Sequence, residues 1–104
     1  MSNYWNNQVM VPATELVETM TGSTILIGTL LFNPVKIIFD NMGNVPVTLY
    51  VSYDGGSSLI QWKTFPGGEA IILDDDLYTF SIGTSFYGNG ASGDFSIAYT
   101  YLKM

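Results

Sequence analysis

Val47-Thr48-Leu49-Tyr50-Val51-Ser52-Tyr53, then Asp54-Gly55-Gly56, then Leu59-Ile60-Gln61-Trp62-Lys63-Thr64-Phe65 is the stretch that decides the fold. Val47, Leu49, Val51 and Tyr53 alternate with Thr48, Tyr50 and Ser52, the period of a strand with one buried face. Asp54-Gly55-Gly56 supplies turn chemistry, so the second run returns as an antiparallel neighbour. Pro46 stands at the start of the first run, where a missing donor costs least.

The same reading extends in both directions. Upstream, Ile25 to Phe32 is a strand ended by Asn33-Pro34, and Val35 to Asp40 is a strand closed by Asn41-Met42-Gly43-Asn44. Downstream, Pro66-Gly67-Gly68 turns the chain into Ala70 to Leu73, and Asp74-Asp75-Asp76 forms the next corner. A sixth strand then runs from Tyr78 to Phe86, with Tyr78, Phe80, Ile82 and Phe86 on one side and Thr79, Ser81 and Ser85 on the other. Gly88-Asn89-Gly90-Ala91-Ser92-Gly93 reads as a hairpin loop, and Phe95, Ile97, Tyr99 and Tyr101 alternate through a last strand to Lys103. Seven short strands separated by turn signals, with no helix of crossover length, predict an all-β antiparallel sandwich. A small jelly-roll-like or immunoglobulin-like sandwich is expected over residues 22–104.

Residues 1–21 differ in kind. Asn, Gln, Tyr4 and Trp5 precede Val9-Met10-Val11, and Pro12 to Glu18 has the features of a short helix with Pro12 at its first position and Glu15 in its first turn. This part reads as an extended N-terminal arm ordered by what it touches, with Tyr4, Trp5, Val9, Val11 and Leu16 as its contact residues. Its start has neither a basic n-region nor an apolar h-region, so no export of the chain on its own is expected. The most apolar run, Ile25 to Phe32, is far short of a membrane-spanning helix.

Composition narrows the chemistry. At 104 residues the chain is one domain, long enough to bury a core without staples. It contains no histidine, no cysteine and no arginine, and its three basic residues are Lys36, Lys63 and Lys103. The usual neutral-pH base, the soft metal ligands and the bidentate phosphate clamp are therefore missing together. A net charge of −6 opposes contact with nucleic acid and with anionic membranes. Serines lack a histidine to activate them, and Lys36 and Lys63 fall at strand positions that face solvent, so no catalytic residue is assigned.

Two clusters remain. Asp74-Asp75-Asp76, with Asp54 or Asp94, would offer oxygen ligands to calcium. Consecutive strand residues point to alternate faces and their charges repel, which favours a solvated corner instead. The Gly88 to Asp94 segment lacks both the repeats of a calcium-binding helix and the lysine of a phosphate loop. No cofactor and no metal are expected.

Charged residues make up 12% of the chain against about 25% in an ordinary globular domain, so part of the surface is expected to be covered by other chains. Fifteen aromatic residues exceed the needs of one small core. Alternation places Tyr50, Trp62 and Tyr87 on outer faces, unless bulges turn them inward, where such side chains anchor protein interfaces or stack on sugars.

Three segments together carry a resemblance: Val35-Lys36-Ile37-Ile38-Phe39-Asp40-Asn41; Val47 to Tyr53 with Asp54-Gly55; and Phe65-Pro66-Gly67-Gly68 before Ala70-Ile71-Ile72-Leu73-Asp74. Over residues 23–104 the chain resembles small β-sandwich auxiliary virion proteins of tailed bacteriophages, which decorate capsids or sit at the head–tail connection and tail. The resemblance implies a non-enzymatic homo-oligomer located in the virion, with capsid, portal or connector, and tail subunits as partners. The alternative expectation is a carbohydrate-binding module using Tyr50, Trp62 and Tyr87.

Overall fold

The computed structural model describes residues 9–12, 15–74 and 80–103, with side chains for all of these except 9–12 and 102–103. The described chain is all-β: β1 (Val9–Pro12), β2 (Leu16–Thr19), β3 (Ile25–Thr29), β4 (Pro34–Asn41), β5 (Val47–Ser52), β6 (Ile60–Phe65), β7 (Ala70–Leu73), β8 (Ser85–Gly90) and β9 (Asp94–Lys103). The pairings are nested. β5 pairs with β6, β4 with β7, β3 with β8, and β1 and β2 both with β9, all antiparallel. The chain is thus one long hairpin whose midpoint is the turn between Ser52 and Ile60. Rolled up, that hairpin gains two lateral pairings, β4 with β9 and β5 with β8. They close one sheet with β1 and β2 both on β9, followed by β4 and β7, and a second in the order β3-β8-β5-β6. Taking β1 and β2 as one interrupted strand, this is jelly-roll connectivity, which decides between the two sandwich types expected.

The alternation read from sequence builds the core. Ile37, Phe39, Ile97 and Phe95 from one sheet meet Val47, Leu49, Val51, Phe65 and Phe86 from the other, all buried. Phe39 is the hub: its ring lies 4.9 Å from Trp62, 5.4 Å from Phe86, 6.1 Å from Phe65 and 6.2 Å from Phe80. Each such tilted or edge-on pair adds about 0.5–1.5 kcal/mol to simple burial.

Three expectations are corrected. The helix over Pro12 to Glu18 is replaced by strand at both of its ends, Pro12 in β1 and Leu16–Glu18 in β2; residues 13–14 lie outside the described residues. β9 offers an open edge, and Leu16, set opposite Ile97, packs its side chain onto Gly28 of β3, where a Cβ would stand 2.7 Å from Leu16 Cδ1. Residues 9–12 and 16–19 therefore belong to the sandwich and are not a separate arm.

The first half of the loop expected over Gly88–Gly93, Gly88 to Gly90, is strand. Gly88 and Gly90 face inward in β8, where a Cβ on Gly90 would come within 2.8 Å of Val47 Cγ2 and one on Gly88 within 2.9 Å of Ile27 Cδ1. These glycines answer to close packing, and the turn shrinks to Ala91–Gly93.

The sixth strand begins at Ser85. Residues 75–79 lie outside the described residues. Thr84 N–H donates to Ser81 O at 3.0 Å in a turn that places Phe80 in the core and Ile82 in solvent. Among the described residues the count is nine strands where seven were expected.

Candidate interaction surfaces

Tyr50 and Tyr87 are direct cross-strand partners on the outer face of the β3-β8-β5-β6 sheet. Leu26 stands opposite Tyr87 on the other side and Gln61 opposite Tyr50, so Leu26, Tyr87, Tyr50 and Gln61 form one row across the sheet. Beside it runs a polar row: Asn89 Nδ2 donates to Thr24 Oγ1 at 2.7 Å, and the hydroxyls of Thr48 and Thr64 bond at 2.9 Å. These two tyrosines lie where alternation places them.

Trp62 does not. The register between β5 and β6 shifts between Leu49 and Tyr50, so β6 carries one extra residue there. Such a bulge turns two successive side chains to one side. Trp62 therefore packs against the core, with its ring 5.3 Å from Phe80 and 6.0 Å from Phe65. Its neighbour Lys63 lies with its ammonium 5.6 Å from the Phe65 ring centroid and 3.9 Å from Glu69 Oε1. Leu16 is likewise a core contact. Val9 and Val11 sit in β1 opposite Lys103 and Tyr101; Tyr4 and Trp5 lie outside the described residues.

The β5–β6 turn is tied to this face by a short network. Ser52 Oγ donates to Asp54 Oδ1 at 2.8 Å and accepts from Gly56 N–H at 2.8 Å, while Ser58 N–H donates to Asp54 Oδ1 at 2.9 Å. The Ser58 amide, followed by the Ser52 hydroxyl, holds the Asp54 carboxyl below the ordinary carboxylate range. The Tyr87 hydroxyl rests against Gly56, where a side chain would collide with it.

A second surface was not legible in the sequence. The β3–β4 connection and the turn before β8 are bonded to each other: Leu30 N–H to Thr84 O at 2.8 Å, Gly83 N–H to Leu30 O at 2.8 Å, and Ile82 N–H to Asn33 Oδ1 at 2.7 Å. Leu31 N–H donates to Tyr99 Oη at 3.0 Å, and the Phe32 ring stacks on Tyr101 at 3.9 Å and 5°. Leu31 and Ile82 take part in those links through their backbone amides, so their side chains are left out in solvent (66% and 59% exposed), while Phe32, stacked on Tyr101, is 42% exposed. Tyr53, Leu59 and Ile60, at the same end of the sandwich, are exposed too. The nearest sequence signals were Asn33 and the Ser81–Gly83 turn, both read as parts of strands or their ends.

The opposite end is closed by Asn41. Fully buried, its Nδ2 donates to Val45 O at 2.9 Å, Phe65 O at 3.0 Å and Pro66 O at 3.1 Å, and its Oδ1 accepts from Gly43 N–H at 3.1 Å. One amide thus satisfies carbonyls of two connections. Asp94, which accepts from Thr19 Oγ1 at 2.5 Å, is at this end, whereas Asp54 and Asp74 are at the other, so Asp94 does not join them; among the described residues no three carboxylates come together as a metal site. Asp75 and Asp76 lie outside the described residues.

No family model, no curated protein and no solved structure matches the chain. What the described surface offers is area, aromatic edges and backbone edges.

Proposed function

We propose that the chain is a non-enzymatic structural component of a bacteriophage virion, an auxiliary, decoration, head–tail connector or tail protein that joins a larger shell or tail through apolar surface. The observation that carries this reading is the apolar end. Leu31, Phe32 and Ile82 stand on connections fixed by backbone bonds, by the Asn33 and Tyr99 side chains and by the Phe32–Tyr101 stack, so their exposure is not a by-product of loose loops. A clustered, ordered apolar surface is what a docked partner covers. The jelly roll is also an architecture shared by viral capsid domains, although fold alone does not assign function. Residues 9–12 and 16–19 are engaged within the chain, and the proposed arm contacts Tyr4 and Trp5 lie outside the described residues. Antibody labelling of purified particles tests the reading: wild type and a chain lacking residues 1–8 are compared with Leu31→Ser/Ile82→Ser. Incorporation of wild type and its loss in the double variant supports the proposal. Particles free of the wild-type chain discard it.

A carbohydrate-binding face is the second reading, favoured by the Tyr50–Tyr87 pair beside its row of hydroxyl and amide groups. Trp62 drops out of it as a stacking platform, because Trp62→Ala would unfill the core. A glycan array probed with wild type and Tyr50→Ala separates the readings: glycan binding that disappears with the Tyr50 ring favours this one.

A further inference from the structure

Two places in the chain set an aspartate or asparagine directly before glycine, Asp54-Gly55 and Asn89-Gly90. At such a pair the glycine nitrogen, with no neighbouring Cβ to shield it, is able to attack the side-chain carbonyl carbon and close a five-membered succinimide. The fold treats the two pairs oppositely. Asn89 lies in β8, an interior strand of its sheet, opposite Thr48 of β5, and its side-chain amide donates to Thr24 Oγ1 at 2.7 Å. Gly90 pairs with Val47, and its carbonyl accepts from Gly22 N–H at 2.7 Å. Ring closure would pull Asn89 out of its extended backbone and undo these pairings, so this place is shut.

Asp54-Gly55 is open. Both residues are exposed and lie beyond the end of β5, outside any ladder. Gly55 has a φ of 73°, nothing stands within 4 Å of where a Cβ would be, and among the described residues its N–H has no hydrogen-bond partner. The nucleophile is therefore accessible, and what restrains the reaction is the electrophile. Asp54 Oδ1 accepts from Ser52 Oγ at 2.8 Å and from Ser58 N–H at 2.9 Å. Both donors favour the carboxylate over the neutral acid. A carboxylate has no leaving group, whereas the neutral carboxyl can lose water.

We infer that Asp54-Gly55 is a modification site at which the backbone converts to an isoaspartyl linkage, with the Ser52 hydroxyl and the Ser58 amide as its restraint. The Gly55 nitrogen bonds to Asp54 Cγ, the Cγ–OH bond breaks, and the hydroxyl leaves as water with the amide proton. A second water then opens the ring. Addition at Cγ restores aspartate, and addition at the backbone carbonyl carbon leaves the chain running through Cβ and Cγ. No oxidant or other co-reactant enters. The product has an extra methylene in its backbone and carries the carboxylate on Cα, so Ser52 and Ser58 lose their acceptor at the turn that bears the exposed Tyr53 and Leu59. This does not depend on which assembly the chain joins.

The test incubates the full folded chain at near-neutral pH and physiological temperature, beside a free peptide of residues 50–58. The chain is then denatured and cut at its lysines, which puts Asp54 in fragment 37–63 and Asn89 in fragment 64–103. Isoaspartate is read by labelled methyl transfer with an isoaspartyl methyltransferase and placed by fragment mass spectra. Label is expected at Asp54, with neither label nor deamidation at Asn89, the reverse of the order in an unfolded chain, where an amide leaves more readily. The folded chain should also convert more slowly than the peptide, which lacks the fixed turn. Ser52→Ala should raise the rate at Asp54 about tenfold, the scale of one hydrogen bond to a charged group. Gly55→Ala should abolish the label by shielding the nitrogen. Absence of label at Asp54 once the peptide has fully converted overturns the inference, and so does modification of Asn89 as fast as of Asp54. A peptide no faster than the chain, or a folded Ser52→Ala with the wild-type rate, removes the restraint and overturns it equally. The wild-type and peptide rates decide the matter whether or not Ser52→Ala folds.

Discussion

The two ends of this sandwich are built from similar connections and finished in opposite ways. At one end Asn41 spends every polar atom of its side chain on the carbonyls and amide of the loops around it, and only Met42 among large apolar side chains is left exposed. At the other, the loops are joined by backbone bonds and by polar side chains (Asn33, Tyr99 and Asp54), and Leu31, Ile82, Tyr53, Leu59, Ile60 and part of Phe32 face solvent. The first end needs its side chain to hold its shape. At the second, Leu31 and Ile82 contribute through their backbone amides, so the identity of those two side chains answers to something outside the chain.

The comparison breaks most readily at Asn41. Asn41→Ala removes the side-chain donor from the buried carbonyl of Phe65 and from the part-buried carbonyls of Val45 and Pro66, the last of which keeps Glu69 N–H, and a buried group left unpaired costs about 1–3 kcal/mol. A loss of about 2–4 kcal/mol is expected in urea unfolding, with the slope of the transition unchanged. A loss below about 1 kcal/mol would mean that water satisfies this end and that Asn41 does not organise it.

Glycines sharpen the same contrast. Gly67, at the Asn41 end, faces the backbone of Asn44, and a Cβ there would stand 2.5 Å from its carbonyl carbon. No rotamer change relieves a clash with backbone, so Gly67→Ala should cost about 1–3 kcal/mol. Gly83, at the apolar end, has open space around it and a φ of 92°. Gly83→Ala meets only the left-handed backbone penalty, about 1 kcal/mol. Thermal unfolding of the two variants should therefore rank them in that order.

The apolar end itself should hardly register in stability. Leu31→Ser/Ile82→Ser is expected to change unfolding free energy by no more than about 0.5 kcal/mol, as surface substitutions do. Its effect should appear in association, read by native mass spectrometry. A double variant that unfolds easily would make these residues part of the core and remove the reason to regard them as a contact surface.

How much of this the sequence held depends on the kind of signal. Period-two runs such as Val47 to Ser52 and Phe95 to Tyr101 are set by a local rule, and their buried faces follow it residue by residue. Tyr50 and Tyr87 were placed by the same rule. It fails where one residue is inserted: the bulge in β6 turned Trp62 inward, and no composition signal marks a bulge without glycine. It fails again where a strand is formed by a partner far away in sequence, as β2 is by β9, since a four-residue segment carries little propensity of its own. The jelly-roll choice was beyond local reading altogether, because nested and immunoglobulin-type pairings use the same strands. Asn41 looked like any turn asparagine. Its role depends on Phe65 and Pro66, which are brought to it only by the fold.

The smallest effect expected is a local one. Asp54 holds the β5–β6 turn at the apolar end by accepting from Ser58 N–H and the Ser52 hydroxyl, and its carboxyl titrates below the ordinary value. A carboxyl whose pKa is lowered by folding stabilises the fold above its unfolded pKa, and that contribution is lost as pH falls through the folded one. Acidification should therefore release this turn while Asn41, which does not titrate, keeps the other end closed. Hydrogen exchange of the Ser58 and Gly56 amides should quicken as pH is lowered through the acidic range, after correction for the intrinsic pH dependence of exchange, while Gly43 and Gly68 amides stay protected. Asp54→Asn should quicken exchange of the Ser58 amide at neutral pH and flatten its response to acid. Loss of protection at both ends together would show that the two connections open as one unit, and the difference between the end held by Asn41 and the end held by Asp54 and backbone bonds would have no dynamic counterpart.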